Sequence, residues 1–289
     1  MIVGGHERVL VQGITGKQGT YWTERMRAYG TRIVAGVNPK KAGTEHCGVP
    51  VFATAGDAMR ETGFDVSVLF IPPLGVKAAA RDAIEAGCRR LVILTEHVPV
   101  QDVMELLAMA QANGAAVVGP NTAGLVTPGE CFVGFMPAFE PDIFRPGRVG
   151  VISRSGSLGT LICLNLVQAG FGQSAFIGIG GDPIVGTTTR DALQILDADE
   201  RTDAVVIVGE IGGTMEEDAA EYARAMSKPV VAFIAGAASP PGKKMGHAGA
   251  IVMGDKGTYA SKRTALEAAG VEVLDTPSEV GRALHAALG

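Results

Sequence analysis

The sequence predicts an α/β protein of two domains, each built on a parallel sheet that is covered by helices. Short apolar runs alternate with segments of helical spacing along the whole chain, which is the pattern of repeated strand–helix units. A length of 289 residues corresponds to about two domains. Because 47% of the residues are apolar and 19% are charged, each domain has enough apolar material for a sizeable core.

The first half of the chain is predicted to form one domain over residues 1–126. The helix expected at 76–86 ends at Gly87, a residue type that often terminates helices. Strands are predicted at 9–11, 32–37, 66–71, 91–94 and 116–118, and helices at 20–29, 55–62, 76–86 and 100–113. This alternation favours parallel strands with helices on both faces.

Residues 127–148 interrupt the alternation and are predicted to be a linker. The segment TPGECFVGFMPAFEPDIFRPGR contains four prolines and three glycines and has no clear period. A second α/β domain is predicted over residues 149–289. Its strands are expected at 149–152, 175–178, 204–208, 230–235 and 272–274, and its helices at 159–169, 189–196, 216–226, 261–268 and 278–288.

Composition and charge argue against several classes of function. A net charge of −5 does not favour binding to nucleic acid or to an acidic membrane surface. The chain has neither the pattern of a secretory signal nor an apolar run of about 18 residues, so we expect a cytoplasmic protein. Its four cysteines form no C-x-x-C pair and are expected to be reduced, and no metal site is predicted.

The turn after the first strand carries three glycines, Gly13, Gly16 and Gly19, before a predicted helix. Glycine permits a close backbone approach, and the helix start offers unpaired N–H groups to a phosphate, with Lys17 as a further cation. A tight turn that binds nothing is the alternative. The G-x-x-G-x-x-G spacing differs from the dinucleotide pattern G-x-G-x-x-G, and no acidic residue ends the second strand, so NAD binding is disfavoured.

Basic residues follow that second strand, in the segment AGVNPKK. Lys40 and Lys41 would suit an additional phosphate group, although a solvated basic turn explains the pair equally well on charge alone.

Hydroxyl residues and a histidine distinguish the second domain. Ser153, Ser155, Gly156 and Ser157 lie between a strand and a helix, where they predict either an anion site or simple helix capping. His247 lies between glycines in the predicted loop 243–250, where a neutral imidazole could act as a nucleophile that carries a phosphoryl group. An ordinary loop histidine is the alternative.

Glu210 ends another predicted strand, within the segment VGEIGG. A carboxylate in that position could accept a hydrogen bond from one imidazole nitrogen and so orient the other nitrogen for attack. An exposed acid at the end of a strand is the alternative.

Taken together, these segments resemble the α subunit of succinyl-CoA synthetase almost from end to end. The matching motifs are GITGKQGT, LTE, GPNTAG, TPGE, SRSGS, IGIGGDP, GEIGG and GHAGA, in this order. The small subunits of malate-, citrate- and sulfoacetate-activating ligases are similar too. The resemblance implies an N-terminal Rossmann-like CoA-binding domain followed by a flavodoxin-like ligase domain.

The resemblance also implies a role for individual residues. His247 would be phosphorylated, Glu210 would orient it, and the serine-rich turn with Thr160 would bind phosphate or the acid substrate. The residues implied for CoA are Thr15, Gly16, Lys17, Gln18, Lys41, Leu94, Thr95 and Glu96.

Three positions depart from the pattern of succinate ligases. Thr160 replaces a tyrosine, His97 replaces a glycine and Thr122 replaces a cysteine. The phosphorylation machinery is therefore expected to be intact, while the acid could be succinate, malate, sulfoacetate or another small anionic acid.

The chain lacks a G-x-x-x-x-G-K-[ST] phosphate-binding loop. The family supplies the nucleotide site on a β subunit of the ATP-grasp fold, so the resemblance implies an αβ or α2β2 heteromer that uses CoA and ATP or GTP with Mg²⁺. The alternatives are a CoA-binding regulatory protein without turnover and a nicotinamide oxidoreductase.

Overall fold

A computed structural model of the protein describes residues 1–240, 245–252 and 256–289. Lys243 and Lys244, at the start of the predicted histidine loop, lie outside the described residues. No helix within the described ranges is both long and apolar enough to cross a membrane.

The first sheet contains seven strands in the described part of the chain, and all but one pair run parallel. Its strands are β1 (Arg8–Gln12), β2 (Arg32–Val37), β3 (Glu45–His46), β4 (Val49–Phe52), β5 (Val66–Leu69), β6 (Arg90–Ile93) and β7 (Ala116–Val118). The spatial order is β3-β4-β2-β1-β5-β6-β7, and only β3 is antiparallel to its neighbour. Apart from that edge strand, this is the doubly wound Rossmann order, as predicted.

Four α-helices accompany the first sheet in the described residues, namely α1 (Lys17–Tyr29), α2 (Ala55–Glu61), α3 (Val76–Glu85) and α4 (Val100–Ala112). All four lie within three residues of the helices expected from the sequence. The order of the sheet reverses between β1 and β5, and the crevice at such a reversal is where this fold binds ligands.

The second sheet also contains seven strands among the described residues. They are β8 (Gly124–Thr127), β9 (Cys131–Gly134), β10 (Pro146–Ser153), β11 (Gln173–Gly178), β12 (Ala204–Glu210), β13 (Val230–Ala235) and β14 (Glu272–Leu274). The spatial order is β14-β13-β12-β10-β11-β8-β9. The parallel strands β10 to β14 have the flavodoxin order, which confirms the predicted fold.

The helices of this half are α5 (Gly156–Gln168), α6 (Thr189–Asp197), α7 (Met215–Ala223), α8 (Tyr259–Ala268) and α9 (Val280–Leu288). The order of the parallel strands reverses between β10 and β12, so α5 and the end of β12 flank the second crevice.

The segment predicted to be a linker is not irregular throughout, because it contains β9 and the start of β10. β9 pairs antiparallel with β8, and β8 pairs antiparallel with β11. A Cβ atom on Gly124 would lie 2.1 Å from the Val133 carbonyl oxygen, so the glycine permits the close approach of the two strands. Glycines that suggested a loop in the sequence therefore belong to a tight hairpin.

The hairpin also joins the two halves of the molecule. Thr31 Oγ1 donates a hydrogen bond to the Phe132 carbonyl at 2.7 Å and accepts one from the Phe132 N–H at 3.1 Å. The rings of Trp22 and Tyr29, on α1, lie edge-on to the buried Phe132 ring. One hydrophobic core therefore extends from the first domain through the hairpin into the second sheet.

Candidate active site

The glycines of the first turn have different structural tasks. Gly13 has φ +81°, and a Cβ atom there would lie 2.4 Å from the Phe70 carbonyl oxygen. A Cβ atom on Gly19 would lie 2.2 Å from the Gly13 carbonyl oxygen. These two glycines are required for the turn to pack, whereas an added Cβ on the exposed Gly16 would meet only a 3.3 Å contact with the same carbonyl.

Gly16 precedes α1, and no side chain caps that end of the helix. The first turn has no acidic residue, and the side chains of Lys17 and Gln18 are exposed. Helix N–H groups without a capping side chain, together with the helix dipole and a nearby lysine, favour a bound anion. The geometry of this turn thus suits the phosphate site that the sequence suggested.

Two clefts meet beside this turn and share Phe70, Ile71 and Pro72 in their walls. The walls of both clefts are mostly apolar. The larger, of about 810 Å³, also presents Thr15, Asn38 and Lys40 beside Gly16. The smaller, of about 520 Å³, is lined by Gln18, Trp22, Leu94, Thr95 and Phe135. A lysine and an uncapped helix start beside one cleft, with an apolar wall along the other, suit an extended ligand that has phosphates at one end and an apolar arm at the other.

The two lysines after β2 differ in their position relative to the larger cleft. Lys40 lines the larger cleft, and Lys41 is the exposed next residue on the same short 3₁₀ helix, Pro39–Lys41. Sequence reasoning selected Lys41 and gave Lys40, Asn38, Trp22 and Phe135 no separate part in the site. Asn38 donates a hydrogen bond to Thr15 Oγ1, and both residues line the larger cleft.

Residues 94–96 lead from the clefts towards the second domain. Leu94 is buried, and Thr95 Oγ1 donates a hydrogen bond to the Ile71 carbonyl at 2.6 Å. The Thr95 carbonyl accepts the Asn121 N–H at 2.9 Å. Glu96 is exposed, and its negative charge contributes to raising the pKa of His247.

His247 and Glu210 form the centre of the second part of the site. His247 Nδ1 lies 2.8 Å from Glu210 Oε2, and the Glu210 side chain is only 7% exposed. The hydrogen bond between His247 and Glu210 raises the pKa of His247, and burial opposes it. A carboxylate oxygen accepts a hydrogen bond, so in the neutral imidazole this contact favours the proton on Nδ1 and leaves the lone pair on Nε2.

The glycine-rich segment after β11 supports the imidazole from one side. A Cβ atom on Gly181 would lie 2.3 Å from His247 Cγ, so the ring packs directly on the backbone. The Gly249 N–H donates to the Gly181 carbonyl at 3.0 Å. The motif IGIGGDP therefore positions the histidine loop.

The start of α5 opens on the same space. Ser155 Oγ accepts the Leu158 N–H at 3.4 Å as the N-cap, and Ser153 Oγ donates to the Ser155 carbonyl at 2.6 Å. Ser155 and Ser157 line a cavity of about 310 Å³ with Glu210 and His247. Ser155 thus caps α5 and also lies beside His247. The sequence had left helix capping and an anion site as alternatives for this turn.

Thr160 lies one turn into α5, and its hydroxyl donates to the Gly156 carbonyl at 2.8 Å. In the part of the chain that the structure describes, the hydroxyl is therefore hydrogen-bonded within its own helix.

Sequence reasoning missed Arg154. Its side chain is 1% exposed and its Nη2 lies 3.3 Å from Glu210 Oε1. The signal was a cation placed directly after a buried strand and within the SRSGS turn, where burial demands a charged partner.

Comparisons with known proteins agree with this geometry. Residues 5–97 match the family described as CoA binding domain, and residues 152–272 match the family described as CoA-ligase. The first match covers β1 to β6 of the first sheet and the second covers the second crevice, so the chain combines a CoA-binding part with a CoA-ligase part.

Similar proteins extend over nearly the whole chain. Subunit alpha 2 of the ADP-forming succinate–CoA ligase of Archaeoglobus fulgidus is 50% identical over 97% of this chain and 96% of its own. The corresponding subunit alpha of Methanothermobacter thermautotrophicus is 50% identical over 98% and 95%. Subunit SauD of the ADP-forming sulfoacetate–CoA ligase of Bilophila wadsworthia is 43% identical over 98% and 97%. The chain belongs to the family of succinate–CoA ligase α subunits, as predicted, and an α subunit implies a partner subunit.

Solved structures show the same fold in longer chains. ATP citrate lyase from Methanothrix soehngenii has a TM-score of 0.88 at 24% identity, over 99% of this chain and 50% of that one. PH0766 from Pyrococcus horikoshii has a TM-score of 0.76 at 21% identity, over 96% and 59%. The chain therefore spans only about half the length of these structural relatives.

Proposed function

We propose that this chain is the CoA-binding, phosphohistidine-carrying subunit of a nucleoside-diphosphate-forming acid–CoA ligase. The observation that carries the proposal is the His247–Glu210 hydrogen bond of 2.8 Å at a cavity shared with the start of α5. A nucleophile, the group that orients it and a helix N-terminus for the transferred group are present within one small space.

In the first step, His247 Nε2 attacks the γ-phosphorus of a nucleoside triphosphate and releases the diphosphate. Nδ1 keeps its proton, and the positive charge that develops on the ring is balanced by Glu210. In the second step, an oxygen of the acid carboxylate attacks the phosphorus, which regenerates neutral His247 and forms an acyl phosphate. The CoA thiolate then attacks the acyl carbon and phosphate leaves.

The N-terminus of α5 supports this phosphoryl transfer. Ser155 and Ser157 place their hydroxyls at the cavity, and the helix dipole favours the negative charge of a phosphoryl group there. A well-aimed donor in a site of this kind lowers a barrier by about 3 kcal/mol.

CoA is proposed to bind across the two clefts of the first domain. Its phosphates would lie near Thr15, Gly16, Lys17 and Lys41, and its pantetheine arm would follow the apolar cleft past Gln18. Leu94, Thr95 and Glu96 would then direct the thiol towards His247, since Leu94 and Thr95 line the smaller cleft and the next residue, Glu96, is near enough for its charge to act on His247.

The nucleotide is proposed to bind to a partner β subunit of the ATP-grasp fold, in an αβ or α2β2 assembly. The sequence contains no phosphate-binding loop of the G-x-x-x-x-G-K-[ST] type, so this chain depends on another one for ATP or GTP with Mg²⁺.

The acid substrate is a small anionic carboxylic acid. Succinate has the support of the relatives at 50% identity, and sulfoacetate that of the relative at 43%. Malate belongs to the same chemical class, because it too has a second anionic group. His97 and Thr160 are the proposed sites at which specificity changed.

A regulatory CoA-binding protein without turnover is the second candidate. The intact His247–Glu210 pair favours the ligase, because CoA binding alone does not need a buried carboxylate at an imidazole.

The decisive experiment combines the chain with its cognate partner and [γ-32P]ATP, then adds CoA and each candidate acid. We expect a base-stable, acid-labile label on the chain that is discharged by one acid in forming acyl-CoA. His247→Asn should take no label and form no thioester, while its affinity for CoA stays unchanged. Absence of label on the parent chain supports the regulatory candidate, and full activity of His247→Asn contradicts the mechanism.

A further inference from the structure

Behind His247 lies a row of buried charges that the proposed reaction does not itself use. Lys262 and Glu216 have side chains that are 0% exposed, and they form a salt bridge. Arg154 lies between Glu216 and Glu210, with 1% of its side chain exposed. Glu217 completes the group at 3.2 Å from Lys262 Nζ.

Arg154 contacts three segments at once. Its Nη2 lies 3.3 Å from Glu210 Oε1 and its Nη1 lies 3.7 Å from Glu216 Oε1. Nη1 also donates a hydrogen bond to the Gly212 carbonyl at 3.0 Å. The end of β12, the turn after it and the start of α7 are therefore fixed around one guanidinium group.

The histidine loop also packs on this guanidinium. A Cβ atom on Gly249 would lie 2.6 Å from Arg154 Nη2, so the loop backbone crosses directly over the arginine. Arg154 thus contacts both the carboxylate that bonds to the imidazole and the loop that carries the imidazole.

The charge balance shows why a cation is needed at this place. Glu210, Glu216 and Glu217 are three acidic residues, and Arg154 and Lys262 are the two basic residues that contact them. Arg154 is the cation that lies between Glu210 and Glu216. Without it, two like charges in a buried space would lose the cation that compensates them, and the Glu210 carboxylate would no longer be held in place.

From these contacts we infer that Arg154 is a positioning residue that holds the Glu210 carboxylate aimed at His247 Nδ1, and so fixes the imidazole tautomer that leaves Nε2 free. The inference rests on the proposed function for its consequence, the rate of phosphoryl transfer. Its structural content, the tautomer of His247, can be measured on this chain alone.

The first test is nitrogen NMR of the full chain labelled with ¹⁵N-histidine, with the His247 signals assigned by His247→Gln. We expect the parent to show the proton on Nδ1. In Arg154→Met this tautomer should lose its dominance, and with the partner present the kcat for phosphohistidine formation should fall at least tenfold at an unchanged nucleotide KM.

Arg190→Met is the matched control, because Arg190 pairs with Glu221 on the surface of the same domain at 3.5 Å. It should keep both the parental tautomer and the parental rate. Thermal melting reports whether each variant is folded, since both arginines lie in the second domain.

Arg154→Lys decides the case if Arg154→Met does not fold. A lysine keeps the charge but lacks the two-sided guanidinium, so it cannot contact Glu210 and Glu216 together. We expect a partial loss of the Nδ1–H tautomer and a smaller loss of kcat than in Arg154→Met.

Retention of the parental tautomer in every folded Arg154 variant overturns the inference, whatever the labelling rate. Failure of the proposed function has a different signature, since the parent chain would then take no label from ATP. The tautomer comparison would still decide the part played by Arg154.

Discussion

At the scale of single residues, the His247 imidazole is subject to opposing influences. The Glu210 hydrogen bond and the negative charges of Glu210 and Glu96 raise its pKa, while burial and the positive charge of Arg154 lower it. The net effect is a raised pKa, so more of the imidazole is protonated near neutral pH than in a free histidine. Glu210 therefore improves the orientation of the nucleophile while making its neutral form less abundant.

This balance predicts a pH dependence for phosphorylation. Only the neutral imidazole attacks, so the labelling rate should rise as pH increases through the raised pKa of His247. In Glu210→Gln the midpoint should move to lower pH, and the maximal rate should fall about a hundredfold because the tautomer is no longer fixed. Single-turnover labelling across pH measures both effects, and a midpoint that stays constant would show that Glu210 does not set this pKa.

The same interaction affects stability in a defined direction. Because the folded pKa is above the unfolded one, the protonated histidine stabilises the fold fully below the unfolded pKa, and this contribution is lost as pH rises through the folded pKa.

The residues of the site differed in how far they could be predicted. The glycines around His247 and the strand before Glu210 left ordinary residues as alternatives, and the family resemblance implied their roles; the structure brings the two side chains together at 2.8 Å. Arg154 was missed because its importance depends on Glu216, which is 62 positions away in the sequence and adjacent only after folding. Pairings of this kind are a product of the sheet order and leave no local pattern.

At the scale of elements, the glycines of the turn before α1 serve different purposes: two are needed for the turn to pack, and one leaves space for a ligand. Gly13 and Gly19 have no room for a side chain, whereas Gly16 has φ −73° and a Cβ atom there would need the Gly13 carbonyl, 3.3 Å away, to shift by only a few tenths of an ångström. The space above Gly16 is where a phosphate would approach the helix N–H groups.

Gly16→Ala should therefore weaken CoA binding without unfolding the chain. We expect the Kd for CoA to rise about tenfold, equivalent to about 1.4 kcal/mol, because the methyl group holds the phosphate away from the backbone. The matched control is Gly56→Ala, in the first turn of α2, where the nearest contact would be an ordinary 3.7 Å. Calorimetry and thermal melting measure the two effects, and equal CoA affinities in the two variants would contradict this role of Gly16.

Several strands were predicted closely. The strands Arg32–Val37, Ala116–Val118, Val230–Ala235 and Glu272–Leu274 agree with the prediction at both ends. β4, β8 and β9 were missed because each is short and contains a proline or a glycine, and β3 has only two residues; all four gain their stability from partner strands rather than from their own pattern.

At the scale of the whole molecule, the hairpin of β8 and β9 connects two domains that the sequence suggested were independent. Phe132 is fully buried between α1 and the second sheet, so neither half completes its core alone. The α/β alternation was predicted from the sequence and the two domain types were implied by the resemblance, but the shared core was not predicted, because a prolonged irregular pattern favoured a linker.

The shared core predicts how fragments behave. A fragment of residues 149–289 lacks β8 and β9, which exposes the edge of β11 and the apolar surface around Phe176. We expect it to aggregate, since an uncovered edge strand pairs with other chains. A fragment of residues 122–289 retains the hairpin and should remain more soluble. Size-exclusion chromatography compares them, and a monomeric 149–289 fragment that melts like the full chain would contradict the prediction.

The same hairpin has a consequence for exchanging parts between related ligases. A chimera joined at residue 127, where composition suggests a natural seam, would divide the pair β8–β9 and place one parent's Phe132 against the other parent's Trp22 and Tyr29. A crossover before residue 122 keeps the hairpin with its own sheet, but the ring contacts with α1 still have two origins. Swapping α1 together with residues 122–134 is the exchange that transfers a matched set.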